Sequence, residues 1–301
     1  MTPIVRAINL SKRFKGPNTL DDLSLDVPEG SIFGLVGPNG AGKTTTIKVL
    51  MNMLKPTSGR AEVFGIDSRK LGPSEFASIG YVSENQELPD WMTLDQLLNY
   101  LRPFYPTWDD GLAKRMVHQF ALPADRQLRH LSRGMWMKVA LVASLAYRPR
   151  LLVLDEPFSG LDPLIRQDLT EGLLEQAGET TILVSSHDLA DIESFVSHVG
   201  YLDRGRIRFA EEMETLAARF REIEVNVDPP CQLPSKTVWP VDWLQPAASQ
   251  AKVRFVDTHF EAEQTANEIR RLFAGVRDIT VQPMPLRAIF ITLARESSRH
   301  V

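Results

Sequence analysis

The chain has 301 residues, 43% hydrophobic and 24% charged, enough for one large domain and a small one, each with a buried core. A formal net charge of −4 argues against broad non-specific binding to nucleic acid or anionic lipid. The single cysteine, Cys231, excludes an intramolecular disulfide and any cysteine-rich metal site; it reads as a bystander thiol in a reducing compartment. No apolar run approaches the roughly 18–20 residues that span a bilayer. The first residues lack a signal peptide's apolar core, so a soluble cytosolic protein is expected.

In chain order, residues 5–27 predict two antiparallel strands joined through Asn18-Thr19. Ser31-Ile32-Phe33-Gly34-Leu35-Val36 follows as a short buried strand. It runs into Gly37-Pro38-Asn39-Gly40-Ala41-Gly42-Lys43-Thr44-Thr45, which fits G-x-x-x-x-G-K-[ST]. Residues 44–53 then carry Ile47, Leu50 and Met51 at helical spacing, with Leu54 just beyond. Strand, glycine loop and helix form the context in which backbone N–H groups converge on phosphate oxygens and the helix start adds its positive dipole end. Lys43 would reach the β- and γ-phosphates of a nucleoside triphosphate, and the Thr44 hydroxyl would ligate Mg²⁺.

Residues 32–82 and 151–207 are expected to supply the parallel core strands, among them Ile79-Gly80-Tyr81-Val82, followed by Ser83-Glu84-Asn85-Gln86. Residues 84–147 read as mostly helical: Leu94, Leu97, Leu98 and Leu101, then Leu112, Met116, Val117 and Phe120, then residues 136–147 after Leu131-Ser132-Arg133-Gly134-Met135. Pro103, Pro106 and Pro123 break these helices. Leu151-Leu152-Val153-Leu154 is a buried parallel strand ending in Asp155-Glu156-Pro157. Carboxylates at that end of a strand sit where α/β sheets place ligand chemistry. Asp155 would hold Mg²⁺ through its water shell, and Glu156 would orient or deprotonate an attacking water. Ser159-Gly160-Leu161-Asp162 comes next; Ser185-Ser186-His187-Asp188 follows one more strand, Thr181-Ile182-Leu183-Val184.

In this order and spacing, over about residues 4–220, the chain resembles an ATP-binding-cassette (ABC) ATPase, the nucleotide-binding subunit of an ABC transporter. The resemblance implies a P-loop NTPase core with a mainly parallel sheet, an antiparallel β subdomain covering the base, and a helical subdomain at about 84–147. It also implies a dimer clamped around two Mg-ATP, with Ser132 and Gly134 matching a Leu-Ser-Gly-Gly-Gln signature that faces the ATP of the opposite subunit. Arg133 and Met135 depart from that signature. By the same resemblance His187 is the switch histidine that holds Glu156 and the water in line, and Asp162 belongs to the loop crossing the dimer interface. Phe14 takes the place of an adenine-stacking tyrosine. Glu84 stands where the family places a glutamine touching Mg²⁺ and the water; Gln86 is the other occupant of that role. An ionised carboxylate accepts hydrogen bonds but cannot donate one, and it adds negative charge beside the triphosphate.

An integral membrane subunit is expected to dock on the helical lobe, with Leu88, Trp91, Met92, Phe104 and Tyr105 as anchors, placing the protein at the cytoplasmic face of the membrane. A soluble cassette ATPase acting on nucleic acid or ribosomes and a non-hydrolysing regulatory module are the rival classes. The absence of a heptad run or basic patch argues against the first; Glu156 and His187 argue against the second. Residues 220–301 are expected to form a separate small α+β domain, with ten basic and ten acidic residues. It should have a loop-rich start at Pro229, Pro230, Pro234, Pro240 and Pro246, strands at 252–256 and near 279–281, and helices through Ile269 and over 286–293. Its ending resembles the short C-terminal extension of exporter-type subunits, which with Glu84 and Arg133 tilts the expectation toward an exporter.

Overall fold

The structure is a computed structural model that describes residues 3–84, 86–229, 233–234 and 238–299. Pro230 and Cys231 lie outside them. The chain divides into two compact units, Met1–Ala210 and Glu211–Val301.

The first unit begins with β1 (Pro3–Arg13), β2 (Asn18–Pro28), β3 (Ile32–Val36), α1 (Lys43–Leu50), β4 (Ser58–Val63) and β5 (Ile66–Asp67). It continues through α2 (Pro73–Phe76), β6 (Ile79–Ser83), α3 (Leu94–Leu101), α4 (Asp110–Gln119) and α5 (Arg133–Leu145). Then come β7 (Leu151–Asp155), α6 (Pro163–Leu174), β8 (Thr181–Ser186), β9 (His198–Asp203) and β10 (Arg206–Glu212). The main sheet has the order β10-β9-β3-β8-β7-β6. β3 runs parallel to β8 and β9, and β7 runs parallel to β6 and β8. Every residue of β3, β7 and β8 is buried, which is why these strands read as continuous apolar runs rather than alternating ones. β2-β1-β4-β5 form a separate antiparallel sheet. Ile47, Val49 and Leu50 of α1 join Phe33, Leu35, Leu23 and Leu25 in one core cluster, each burial contributing roughly 1.5–3 kcal/mol.

Three expectations need correction. The reversal between β1 and β2 falls at residues 14–17, with Asn18 opening β2. The stretch 32–82 is not all parallel core, because β4 and β5 join the antiparallel sheet beside β1. The reason is visible in β4, whose first three residues are exposed and whose burial then alternates, the mark of a strand with one wet face. Finally, α5 starts at Arg133 rather than 136: the Ser132 hydroxyl accepts from Met135 N at 3.3 Å and caps the helix.

The second unit holds α7 (Met213–Arg219), β11 (Arg221–Val227), β12 (Trp243–Ala248), β13 (Lys252–Asp257), α8 (Ala262–Leu272), β14 (Val276–Pro283) and α9 (Leu286–Arg299). Its antiparallel sheet has the order β12-β13-β11-β14. The inward residues Ile223, Val225, Val227, Trp243, Val253 and Phe255 pack with Ile269 of α8 and with Phe273. β13, α8, β14 and α9 fall where the sequence places them. β11 and β12 occupy part of the stretch expected to be loop; Pro246 is tolerated because β12 is an edge strand. Among the described residues no helix is long and apolar enough to cross a membrane.

Candidate functional site

β3 ends at Val36, and the glycine loop that follows is clamped from two sides. A Cβ on Gly37 would stand 2.1 Å from the Leu202 carbonyl oxygen of β9, so no side chain fits there. Gly42 has φ +113°, and a Cβ on it would meet Leu20 Cδ2 at 2.6 Å and Thr19 O at 2.9 Å. Gly37 N donates to Ser186 O at 3.3 Å, and Gly205 N donates to Ala41 O at 2.9 Å. The loop wraps its own lysine. Lys43 is only 5% exposed; its Nζ donates to Gly37 O at 2.7 Å and Pro38 O at 3.3 Å, and lies 3.1 Å from Glu156 Oε1.

The end of β7 is braced by β8. Ser185 Oγ donates to the buried Asp155 Oδ1 at 2.7 Å and accepts from Glu156 N at 3.0 Å. Thr44 Oγ1 donates to the same Asp155 oxygen at 3.1 Å, joining the start of α1 to the end of β7. Glu156 has φ +54°, left-handed for a residue with a side chain, the kind of strain that persists only where surroundings over-determine it. Here they do. Its Oε2 lies 2.7 Å from His187 Nδ1 and accepts from His187 N at 3.3 Å, while Lys43 holds Oε1. Half-burial raises the Glu156 carboxyl, but the hydrogen bond from His187 and the charge of Lys43 outweigh it and hold the pKa below the ordinary glutamate value.

A cleft of about 340 Å³ collects Asn39, Gly40, Gly42, Lys43, Thr44, Thr45, Glu84, Glu156 and His187, with Thr19 and Ser159. Gly37, Pro38 and Ala41 form the base of the loop, and Asp155 lies behind Thr44. Ser132, Gly134, Asp162 and Phe14, also singled out from the sequence, do not line it. Ser132 and Gly134 sit at the start of α5. Asp162 caps α6, accepting from Leu164 N and Ile165 N at 3.1 Å each. Phe14 is exposed, so it is not core packing, and Lys12 Nζ stands 5.0 Å from its ring centroid. Glu84 Oε1 accepts from Arg133 Nη2 at 2.6 Å and from Ser159 Oγ at 3.1 Å. Gln86 turns its side-chain oxygen back to Ser83 N at 3.3 Å and does not line the cleft.

Thr19, Ser159 and Ser185 are the site residues that the sequence reading did not assign. Ser159 and Ser185 belong to motifs already marked, but residue type alone gives no sign that their hydroxyls brace carboxylates. Among the described residues no cluster of three or more His, Cys, Asp or Glu gathers as a self-sufficient metal cage. The Thr44 hydroxyl beside Asp155, with the Glu84 carboxylate at the cleft edge, is instead a sparse set of hard oxygens. That suits Mg²⁺, which takes one or two protein oxygens plus phosphates and waters. On the helical segment, Trp91 and Phe104 are 60% and 62% exposed, and Tyr100 lies 5.4 Å from the Phe104 ring. Met92 is buried and Tyr105 stacks on Tyr147 at 3.8 Å, so these two expected anchors belong to packing.

Comparison with known proteins agrees with this geometry. The sequence pattern of the ABC transporter family matches residues 20–159. The ABC transporter ATP-binding protein YtrB of Bacillus subtilis is 33% identical over 221 residues, 73% of this chain and 75% of that protein. The Nod factor export ATP-binding protein I of Cupriavidus metallidurans is 35% identical over 214 residues, 68% of this chain and 70% of that protein. A solved structure of the ATP-binding subunit of an ABC transporter superposes with a TM-score of 0.65 at 28% identity, covering 71% of this chain and 92% of its own. The chain belongs to the ABC transporter family, as one of its ATP-binding subunits. It is accordingly a nucleotide-binding ATPase with a P-loop NTPase fold.

Proposed function

We propose that two copies of this subunit, or one copy and a homologous cassette, close around two Mg-ATP, and that hydrolysis lets them part. One observation carries the chemistry: Lys43 and His187 converge on the two oxygens of Glu156 beside the Thr44–Asp155 pair. A triphosphate in the cleft offers Lys43 a stronger anionic partner than Glu156. Transfer of the ammonium to phosphate frees Glu156 Oε1, raises its basicity, and leaves it to take the proton from a water attacking the γ-phosphorus. His187 keeps the carboxylate aimed, with its backbone N–H and ring on Oε2. Thr44, Asp155 and Glu84 would hold Mg²⁺, whose charge offsets that of the phosphates. The loop residues Gly37, Pro38, Asn39, Gly40, Ala41, Gly42 and Thr45 shape the phosphate cradle, and the exposed ring of Phe14 stacks on adenine.

Ser132 and Gly134 lie outside their own cleft, at the capped start of α5, where a backbone N–H and a hydroxyl suit the γ-phosphate held by a second protomer. Asp162 faces the same interface. Residues 1–219 act as the cassette and 220–301 as an appended domain. Trp91, Phe104 and Tyr100 form the exposed aromatic part of a docking patch for an integral membrane subunit, which holds the protein at the cytoplasmic face of the membrane. Export is the favoured direction, supported by the Nod factor export relative.

Light scattering of Glu156→Gln with and without Mg-ATP tests the dimer. A doubling of mass that requires nucleotide is expected; a monomer indifferent to nucleotide would refute the two-protomer reading. Co-purification of an integral membrane protein from the native host tests the partner.

A further inference from the structure

Two of the positions where the chain departs from its family's pattern, Glu84 and Arg133, touch each other. Arg133 Nη2 donates to Glu84 Oε1 at 2.6 Å, and Ser159 Oγ holds the same oxygen at 3.1 Å. The guanidinium lies against Gly160, where a Cβ would come within 3.0 Å of Arg133 Nη1. Gly160 has φ +68°, so the backbone itself favours the residue that leaves this space open. Three separate segments thus meet: the loop after β6, the start of α5 and the loop after β7.

The charges give this contact a purpose. Among the described residues that line the cleft, Lys43 is the one Lys or Arg, against the carboxylates of Glu84 and Glu156, with Asp155 directly behind. A neutral amide at position 84 would add no charge. A carboxylate there repels a polyanionic ligand unless a cation stands beside it. Arg133 supplies that cation from outside the lining, and its direct hydrogen bond, with that from Ser159, fixes how the carboxylate is aimed.

We infer that Arg133 is a positioning residue for ATP hydrolysis, acting through Glu84. It neutralises and orients that carboxylate, so the departures at 84 and 133 compensate one another. This rests on the assignment of the cleft to Mg-ATP. Arg133 then matters within its own protomer's site, besides lying next to the residues offered to a second protomer's phosphates.

A double-mutant cycle tests it with the full chain: wild type, Arg133→Ala, Glu84→Gln and the double variant, plus Arg133→Lys as the charge-keeping control. The readings are kcat and KM for Mg-ATP and, needing no turnover, equilibrium affinity for a fluorescent Mg-nucleotide. With Glu84 in place, Arg133→Ala should weaken nucleotide affinity and raise KM by about fivefold, with a smaller change in kcat. In the Glu84→Gln background the same change should cost less than about twofold. Arg133→Lys should recover most of the loss. Equal factors in both backgrounds would overturn the inference, because Arg133 would then act elsewhere, for instance on a second protomer's phosphates. Loss of affinity in Arg133→Lys as severe as in Arg133→Ala would also overturn it, since charge would not be what Arg133 supplies. A wild type that binds Mg-nucleotide but shows no turnover would refute the hydrolytic reading, while the affinity cycle would still decide the role of Arg133.

Discussion

Glu156 and Gln245 share one backbone conformation, with φ +54° and +52°, and almost nothing else. Glu156 directly follows a buried parallel strand, and its carboxylate is met by Lys43 and His187. Gln245 lies in edge strand β12, where the register against β13 slips between Leu244 and Ala247, and its buried Nε2 has no partner among the described residues. The first strain aims a reactive group at a cleft; the second is the by-product of a bulge before Pro246. Left-handed backbone alone therefore does not mark a site. What distinguishes Glu156 is that separate segments deliver charge and hydrogen bonds to the strained residue.

Removing the carboxylate from one and the packing from the other exposes the difference most strongly. Glu156→Gln should lower steady-state phosphate release by about 10²–10⁴-fold while Mg-ATP binding persists, because the proton acceptor is lost and the loop is untouched. Retained turnover would make Glu156 no different in kind from Gln245. In the second unit the large effects should be structural. Trp243 is 5% exposed, stacks on Phe255 at 4.1 Å and meets Trp239 edge-on at 5.5 Å. Trp243→Ala should cost about 3–5 kcal/mol of that unit's stability, read by hydrogen exchange across residues 211–299. A loss below about 1 kcal/mol would mean that the aromatic cluster is not its core.

The same contrast explains what the sequence made legible. Phosphate chemistry requires small residues, one lysine and one hydroxyl at fixed spacing, so 37–45 is readable letter by letter. Buried parallel strands require unbroken apolar runs, so β3, β7 and β8 are readable as well. β11 alternates cleanly over Arg221–Val227, and only the nearby prolines obscured it. Tertiary contacts were not legible. That Ser185 braces the Asp155 carboxylate and the Glu156 backbone N–H, or that Arg133 reaches Glu84 across 49 positions of chain, depends on how the strands and helices assemble. The exposed start of β4, which sent it to the antiparallel sheet, could have been suspected from Ser58, Gly59 and Arg60.

A finer test follows from the protonation of Glu156. Its folded pKa is depressed, so it contributes stability that is fully present above the unfolded glutamate pKa and is lost as pH falls through the lower, folded value. His187 supplies the largest of the lowering influences. His187→Ala should therefore move the folded pKa of Glu156 upward, shrink this contribution, and make its acid loss finish at a higher pH. Melting temperature followed from neutral pH down through the carboxylate range checks the sign. The difference between histidine and alanine should flatten in the Glu156→Gln background. A gap that persists there would assign the effect to another group.

The smallest expected effect bears most directly on the two strained residues. Gln245→Gly relieves the left-handed conformation and removes a buried amide nitrogen that has no partner among the described residues, against the extra chain entropy that glycine brings to the unfolded state. These terms leave a net gain of about 1 kcal/mol in the stability of the second unit, with phosphate release unchanged. Glu156→Gly relieves the same kind of strain and should abolish hydrolysis. If Gln245→Gly instead lowered turnover severalfold without loss of fold, position 245 would belong with Glu156 as a strained residue with a task, and the bulge would no longer be explained by strand register alone.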